Sequence, residues 1–333
     1  MSRSVPQIVS IGAALVGVVL FLLTLYYIDL DETIASASRL GLALPIVLLP
    51  GAAWHLLRTW GWSIAFPDLE RPAFTRLFRV RLAADAIGFF TVRGIAGEPL
   101  KVLLLYDRVK PEVATAAVAF ERLVFGVVGT AIAGLVSLLA ITRVAMSGGW
   151  DALFATLAIG AVILLAIVTV MARRRSKYYL ERVVNALDSV TGRRLEQHRV
   201  VRFILDVERV LLDLLRGDRR RLVTLLGLAI VCYAVMAIEV WLVFWAIGEP
   251  ITITESLVVE TFARLASVAS AFVPGNIGTL EASNVAVAEG LGLTGGGSLA
   301  LARRIRALLW AGLGLLLYPR IKPQAPNPKS QTR

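Results

Sequence analysis

Eleven charged residues fall inside or at the edge of strongly apolar sequence: Arg81, Asp85, Glu98, Lys101, Glu121, Arg122, Glu260, Arg264, Glu281, Arg303 and Arg304. A charge facing lipid at the centre of a bilayer costs at least about 2.5–3.5 kcal/mol even on lenient insertion scales. These side chains are therefore expected to face one another and line a polar cavity. Arg81/Asp85 and Glu260/Arg264 are each four positions apart, so each pair can meet on one helix face. Glu98 adjoins a glycine-rich break at Gly94 and Gly97. Glu281 follows a second break, Pro274-Gly275-Asn276-Ile277-Gly278. Each Glu is followed by arginine in the next apolar segment: Arg122 lies 24 positions after Glu98, and Arg304 and Arg306 lie 23 and 25 after Glu281. Pairs Glu98–Arg122 and Glu281–Arg304 are expected. On one reading these charges only neutralise each other and hold the breaks together. On the other, surplus arginine in the cavity attracts phosphate, because its planar fork grips phosphate oxygens in a bidentate way and half-helix N-termini at the breaks add partial positive charge.

The elements that position these residues are membrane helices. The chain has 333 residues, 57% of them hydrophobic, and a mean hydropathy of +0.73. A bilayer crossing needs about 20 apolar helical residues, and such runs recur along the whole length. Six spanning helices are expected, at 8–28, 42–66, 113–141, 153–172, 222–247 and 298–318. The first run exceeds the h-region of a signal peptide and reads as a retained helix. Two further apolar stretches, 76–106 and 255–293, are broken in the middle by the glycines and proline above, and neither half could span. They read as re-entrant helical hairpins, whose broken backbone is tolerated at membrane depth only under cover of protein or a water-filled cavity. The expected fold class is an all-α integral membrane protein of about six spans and two hairpins.

Orientation follows from the positive-inside rule. Segment 173–221 holds 14 Lys/Arg against 7 Asp/Glu and reads as cytoplasmic. Arg71, Arg76, Arg79 and Arg81 and the tail from Arg320 fall on the same side, whereas 29–39 and 248–254 are acidic or poor in base. Both termini are then cytoplasmic, in a cell (inner) membrane of bacterial type. The first hairpin opens to the inside and the second to the outside. That order makes a single domain over 1–333 with an inverted-topology repeat, a common plan of secondary transporters. The first repeat is 1–145 and the second 146–320, with the basic insertion 173–221 and a tail at 321–333. Arg81 to Glu98 and Arg264 to Glu281 are both 17 positions apart, which suits two copies of one unit.

Other function classes find less support. The net charge of +11 carries no nucleic-acid-binding motif with it, so no nucleic-acid partner is expected. The two histidines, His55 and His198, share no motif, and no metal or cofactor is expected. The single Cys232 can form no intrachain disulfide. His55 and Arg58 in the second span are weaker candidates, with His55 read as structural. Glu239 is a lone acid in the fifth span, read as paired to an arginine in preference to carrying a proton. Trp60, Trp62, Trp241 and Trp245 suit interfacial or packing roles. Residues 195–216 form an amphipathic helix that either lies on anionic headgroups or packs on the other helices.

Gly97-Glu98-Pro99-Leu100-Lys101, then Glu121-Arg122, then Pro274 through Gly278 with Thr279-Leu280-Glu281-Ala282, then Arg303-Arg304, together resemble the transmembrane region of lysylphosphatidylglycerol synthases, also described as flippase-like. The resemblance covers nearly the whole chain. It implies a membrane domain that moves or binds lipids; in the full synthases it translocates aminoacylated phosphatidylglycerol. Those synthases carry a soluble aminoacyl-transferase domain after the membrane part, whereas this sequence ends at Arg333, so synthase activity is not carried over. A membrane lipid is the expected cargo, bearing phosphate or of the glycolipid or hopanoid type. Two alternatives stay open. One is a membrane-embedded enzyme acting on polyprenyl phosphates, although neither break carries the Ser and His that undecaprenyl-pyrophosphate phosphatases use. The other is a scaffold for a lipid-biosynthesis enzyme, docking through 173–221.

Overall fold

The structure is a computed structural model. It describes residues 11, 12, 15, 19, 40–91, 96–144, 149–173, 179–191, 198–270 and 278–319. Among them every regular element is helical. A short 3-10 turn leads into α1 (Leu44–Ile64). Then come α2 (Phe74–Phe90), α3 (Gly97–Leu104), α4 (Pro111–Arg143), α5 (Trp150–Arg173), α6 (Tyr179–Thr191), α7 (Arg199–Arg216), α8 (Arg219–Ala246), α9 (Ile253–Ala269), α10 (Thr279–Gly290) and α11 (Gly296–Leu316).

The helix starts follow from local chemistry. Pro111 opens α4 where no backbone N–H is needed. The Asp218 side chain caps α8 by accepting from the Arg220 N–H at 2.8 Å. Thr252 and Glu255 form a reciprocal capping box on α9. At the head of α10, Gly278 takes φ +80°, a left-handed value suited to glycine, and its N–H donates to Glu281 at 2.7 Å.

Four helices among the described residues are long and apolar enough to cross a bilayer: Gly41–Ile64, Pro111–Arg143, Trp150–Val170 and Arg219–Ala246. They match four of the six expected spans. The expected span 8–28 falls almost wholly outside the described residues. The sixth, 298–318, is the helix α11; Arg303, Arg304 and Arg306 lower its apolarity below the other four.

Both expected hairpins appear as paired short helices. In the first, α2 packs on α3, and the crossing is made by glycine: a Cβ on Gly97 would stand 2.9 Å from the Ala84 carbonyl oxygen and 3.4 Å from the Gly88 Cα. In the second, α9 packs on α10. The breaks at Arg93 and Gly94, and at Pro274, Gly275 and Asn276, lie outside the described residues. Helix α7 packs on α4; Leu214 is buried there and Val207, Val210, Leu211 and Leu215 lie against the same core. Leu205 is buried as well, whereas Val200 and Ile204 stay exposed.

Among the described residues the apolar core falls into two large clusters and a small one at Ala86 and Ala311. One large cluster joins the end of α1, the first hairpin, the first half of α4, Leu214 of α7 and the start of α8. The other joins the start of α1, the end of α4, Phe154 of α5, the end of α8, the second hairpin and the start of α11. Along α1, His55 and Arg58 stand between Val47 of one cluster and Trp62 of the other. Along α8, Glu239 stands next to Val240, where the second cluster begins.

Candidate functional site

Between the clusters lies a cavity of about 360 Å³. Each hairpin contributes a helix wall: Arg81 and Asp85 from α2 with Glu98 and Lys101 from α3, and Glu260 and Arg264 from α9. The spans add His55 and Arg58 from α1, Arg122 from α4, and Arg303, Arg306 and Trp310 from α11. Most of these are the residues expected from sequence. Glu121 stands behind the wall, 1% exposed. Glu281 and Arg304 meet at its edge without lining it. Asn276 lies outside the described residues.

The pairing is partly as the spacing implied. Glu98 meets Arg122 at 3.4 Å and Lys101 at 3.1 Å. Glu281 meets Arg304. Arg264 donates through Nε to Glu260 at 2.6 Å, and Arg303 donates to the other Glu260 oxygen at 2.5 Å. Glu239 meets Arg306. One pair differs. Arg81 does not turn to Asp85; its Nη2 donates to Glu121 at 3.0 Å, where Arg58 also arrives at 3.1 Å. Asp85 turns instead to Lys101 at 3.4 Å, with His55 Nδ1 at 3.9 Å. The reason is burial: Glu121 has no access to water, so its negative charge has to be met by cations from inside the protein, whereas the Asp85 side chain is 30% exposed.

Beside each hairpin thus stand adjacent residues with divided duties. Glu121 holds the hairpin residue Arg81 while Arg122 holds the break residue Glu98. Arg303 holds the hairpin residue Glu260 while Arg304 holds the break residue Glu281. The sign of the inner pair is reversed between the two.

Sequence reasoning did not single out Asn284, whose Oδ1 accepts from Arg303 at 2.9 Å, nor Trp54 and Trp310, whose rings flank His55 at 4.9 and 4.6 Å. Helical spacing carries a signal for two of them: Asn284 is three positions after Glu281, and Trp310 seven after Arg303.

The cavity is cationic. Among the described residues seven basic side chains line it, Arg58, Arg81, Lys101, Arg122, Arg264, Arg303 and Arg306, against Asp85, Glu98 and Glu260. Adding Glu121 and Glu239, which pair with lining arginines from behind, leaves a surplus of two positive charges. Arg264 uses Nε for Glu260 and lies at 4.4 Å over the Tyr233 ring. Its two terminal nitrogens have no hydrogen-bond partner among the described residues. Arg122 likewise meets Glu98 through Nε. Trp310 Nε1 and His55 Nδ1 are buried donor or acceptor atoms without a hydrogen-bond partner among the described residues. Open guanidinium forks beside unsatisfied ring nitrogens and aromatic walls suit an anionic headgroup, phosphate above all. Among the described residues no three His, Cys, Asp or Glu side chains gather as a metal site would need.

Comparison with protein families matches residues 9–316 to the lysylphosphatidylglycerol synthase TM region. The chain belongs to that family. Curated proteins and solved structures yield no match to it. Family membership makes this a lipid-related, multi-pass membrane protein, and it covers both hairpins and all the charged residues of the cavity.

Proposed function

We propose that the protein binds a phosphate-bearing lipid by its headgroup in the cavity between the hairpins and moves it across the membrane. The observation that carries this is the surplus of two cations, with the forks of Arg122 and Arg264 open to the cavity. The hairpins bring opposite ends of the molecule to one site, and each belongs to its own apolar cluster. That supports an inverted-repeat carrier whose two halves rock around a fixed headgroup position. The reading places the protein in a bacterial-type cell membrane with both termini cytoplasmic, and it assigns the cavity no bond-breaking step.

The test is lipid translocation in proteoliposomes. Glu98→Gln and Arg264→Ala should each abolish it while the protein still inserts and purifies. Wild-type rates in both variants would sink the reading. Phosphate release from polyprenyl pyrophosphate by the purified protein would replace it with an enzyme.

A further inference from the structure

The acids around the cavity differ in how many cations hold them. Glu121 has Arg58 and Arg81, Glu98 has Lys101 and Arg122, and Glu260 has Arg264 and Arg303. Asp85 shares Lys101 and has His55 beside it. Glu239 has Arg306 alone within ion-pair distance among the described residues. Its side chain is 1% exposed, in the interior of the spanning helix α8 among Ala237, Ile238, Val240 and Trp241.

Arg306 belongs to the cavity as well as to Glu239. It is a lining residue, 22% exposed, and its Nη1 lies 3.3 Å from the Met236 sulfur. Its methylenes cross α1 at Gly51, where a Cβ would stand 2.7 Å from Cδ. The missing side chain at Gly51 is what lets this arm lie between α1 and α8. Around the cavity, the other charged groups on helices packed against α8 are His55 and Arg58 of α1, Glu121 and Arg122 of α4, Glu260 and Arg264 of α9, and Arg303 and Arg304 of α11; Glu112 and Arg143 lie at the ends of α4 and Glu255 in the first turn of α9. Each arginine among those around the cavity is engaged with a carboxylate other than Glu239, and His55 stands beside Asp85.

We infer that Arg306 is shared between Glu239 and the anionic headgroup, so that binding of the anion draws one proton onto Glu239. The inference rests on the cavity being the headgroup site. An anion that engages Arg306 strips a buried carboxylate of its one cation. A buried charge without a partner neutralises in preference to remaining ionised. The proton comes from the buffer acid by way of water in the cavity: an O–H bond forms on a carboxylate oxygen of Glu239, the acid loses that proton to become its conjugate base, and the transfer reverses when the anion departs and Arg306 returns. The loaded protein then carries one anion and one proton together, which couples lipid movement to a proton gradient.

The experiment is calorimetric binding of dihexanoyl phosphatidylglycerol to the detergent-solubilised full chain, in buffers of different ionisation enthalpy at neutral pH. The dependence of the heat on the buffer gives the protons taken up per lipid bound. About one proton is expected for wild type and about none for Glu239→Gln, with binding kept. Arg306→Gln serves as the second variant, because its Glu239 is already neutral before ligand arrives; uptake should vanish there too, and binding should weaken tenfold or more. Binding by wild type without proton uptake, or uptake unchanged in Glu239→Gln, overturns this inference alone. Failure of wild type to bind at all overturns the headgroup site and the inference with it.

Discussion

Neighbouring residues around the cavity do opposite work, and Glu121, behind its wall, and Arg122, in it, separate the two kinds. Glu121 has a side chain 1% exposed and holds two buried guanidiniums, Arg58 and Arg81, which lie over the Trp54 and Phe125 rings and the Trp62 ring respectively. Glu121→Gln leaves two buried cations facing each other. Breaking a buried pair by removing one partner costs about 3–5 kcal/mol, so this variant should lose most of its folded yield and show a markedly lower unfolding temperature in detergent. Arg122 has a side chain 50% exposed and meets Glu98 at its rim. A half-exposed pair is worth at most about 1 kcal/mol, so Arg122→Gln should melt near wild type while binding short-chain phosphatidylglycerol at least tenfold more weakly. Equal melting temperatures in the two variants would contradict the division. The positions of both residues were legible in the sequence, because charge in an apolar run is conspicuous. The partner of Arg81 was not. Four-residue spacing says that Arg81 and Asp85 can meet; only the folded chain shows that a fully buried carboxylate forty positions away makes the stronger claim.

Helices here approach each other through small residues, and the closest approach is between α11 and α2. A Cβ on Gly314 would stand 2.2 Å from the Leu82 carbonyl oxygen and 2.7 Å from its carbon. Those are backbone atoms, which cannot rotate away as a side chain tip can. Gly314→Ala must therefore push α11 from α2 and spoil the register that brings Arg303 and Arg306 to the cavity. A loss of about 1–3 kcal/mol is expected, the usual size for overpacking, read as a drop in unfolding midpoint together with weaker lipid binding. Gly126→Ala in α4 is the matched control: nothing lies within 4 Å of its added methyl, and removing a helix glycine stabilises by up to about 1 kcal/mol. If both variants melt alike, the close contact is not what sets this crossing. At this scale the sequence marked where helices exist and where they break, because apolar period and glycine clusters are local signals. It could not assign α7 between a membrane surface and a protein surface. The amphipathic pattern is the same for both, and the packing of α7 on α4 is a tertiary fact.

Over the whole molecule the charged layer sits between two apolar clusters, each built around one hairpin. Counting basic loops in the sequence argues for hairpins that enter from opposite faces, an argument that fixes sides but not contacts. The structure supplies contacts: α1 and α8 run side by side from one cluster to the other. If the hairpins enter from opposite faces, the α6–α7 connection and the α8–α9 connection must lie on opposite sides of the membrane, one helix α8 apart. At about 1.5 Å per residue its 28 residues span about 42 Å, enough to cross a bilayer with its interfaces. His198, before α7, and Pro250, between α8 and α9, are both exposed. The lone native Cys232 is buried, so it gives little background to a thiol reagent. In right-side-out cells, Pro250→Cys should react with a membrane-impermeant maleimide. His198→Cys should react only after the membrane is opened. The proposed topology puts the second of these inside because of the basic insertion 173–221, since short loops rich in Lys and Arg resist translocation. Reaction of both cysteines from the same face would place α9 and α10 on the same side as α2 and α3. The two hairpins would then be parallel copies, and a carrier that opens alternately to two faces around one headgroup site would lose its structural basis.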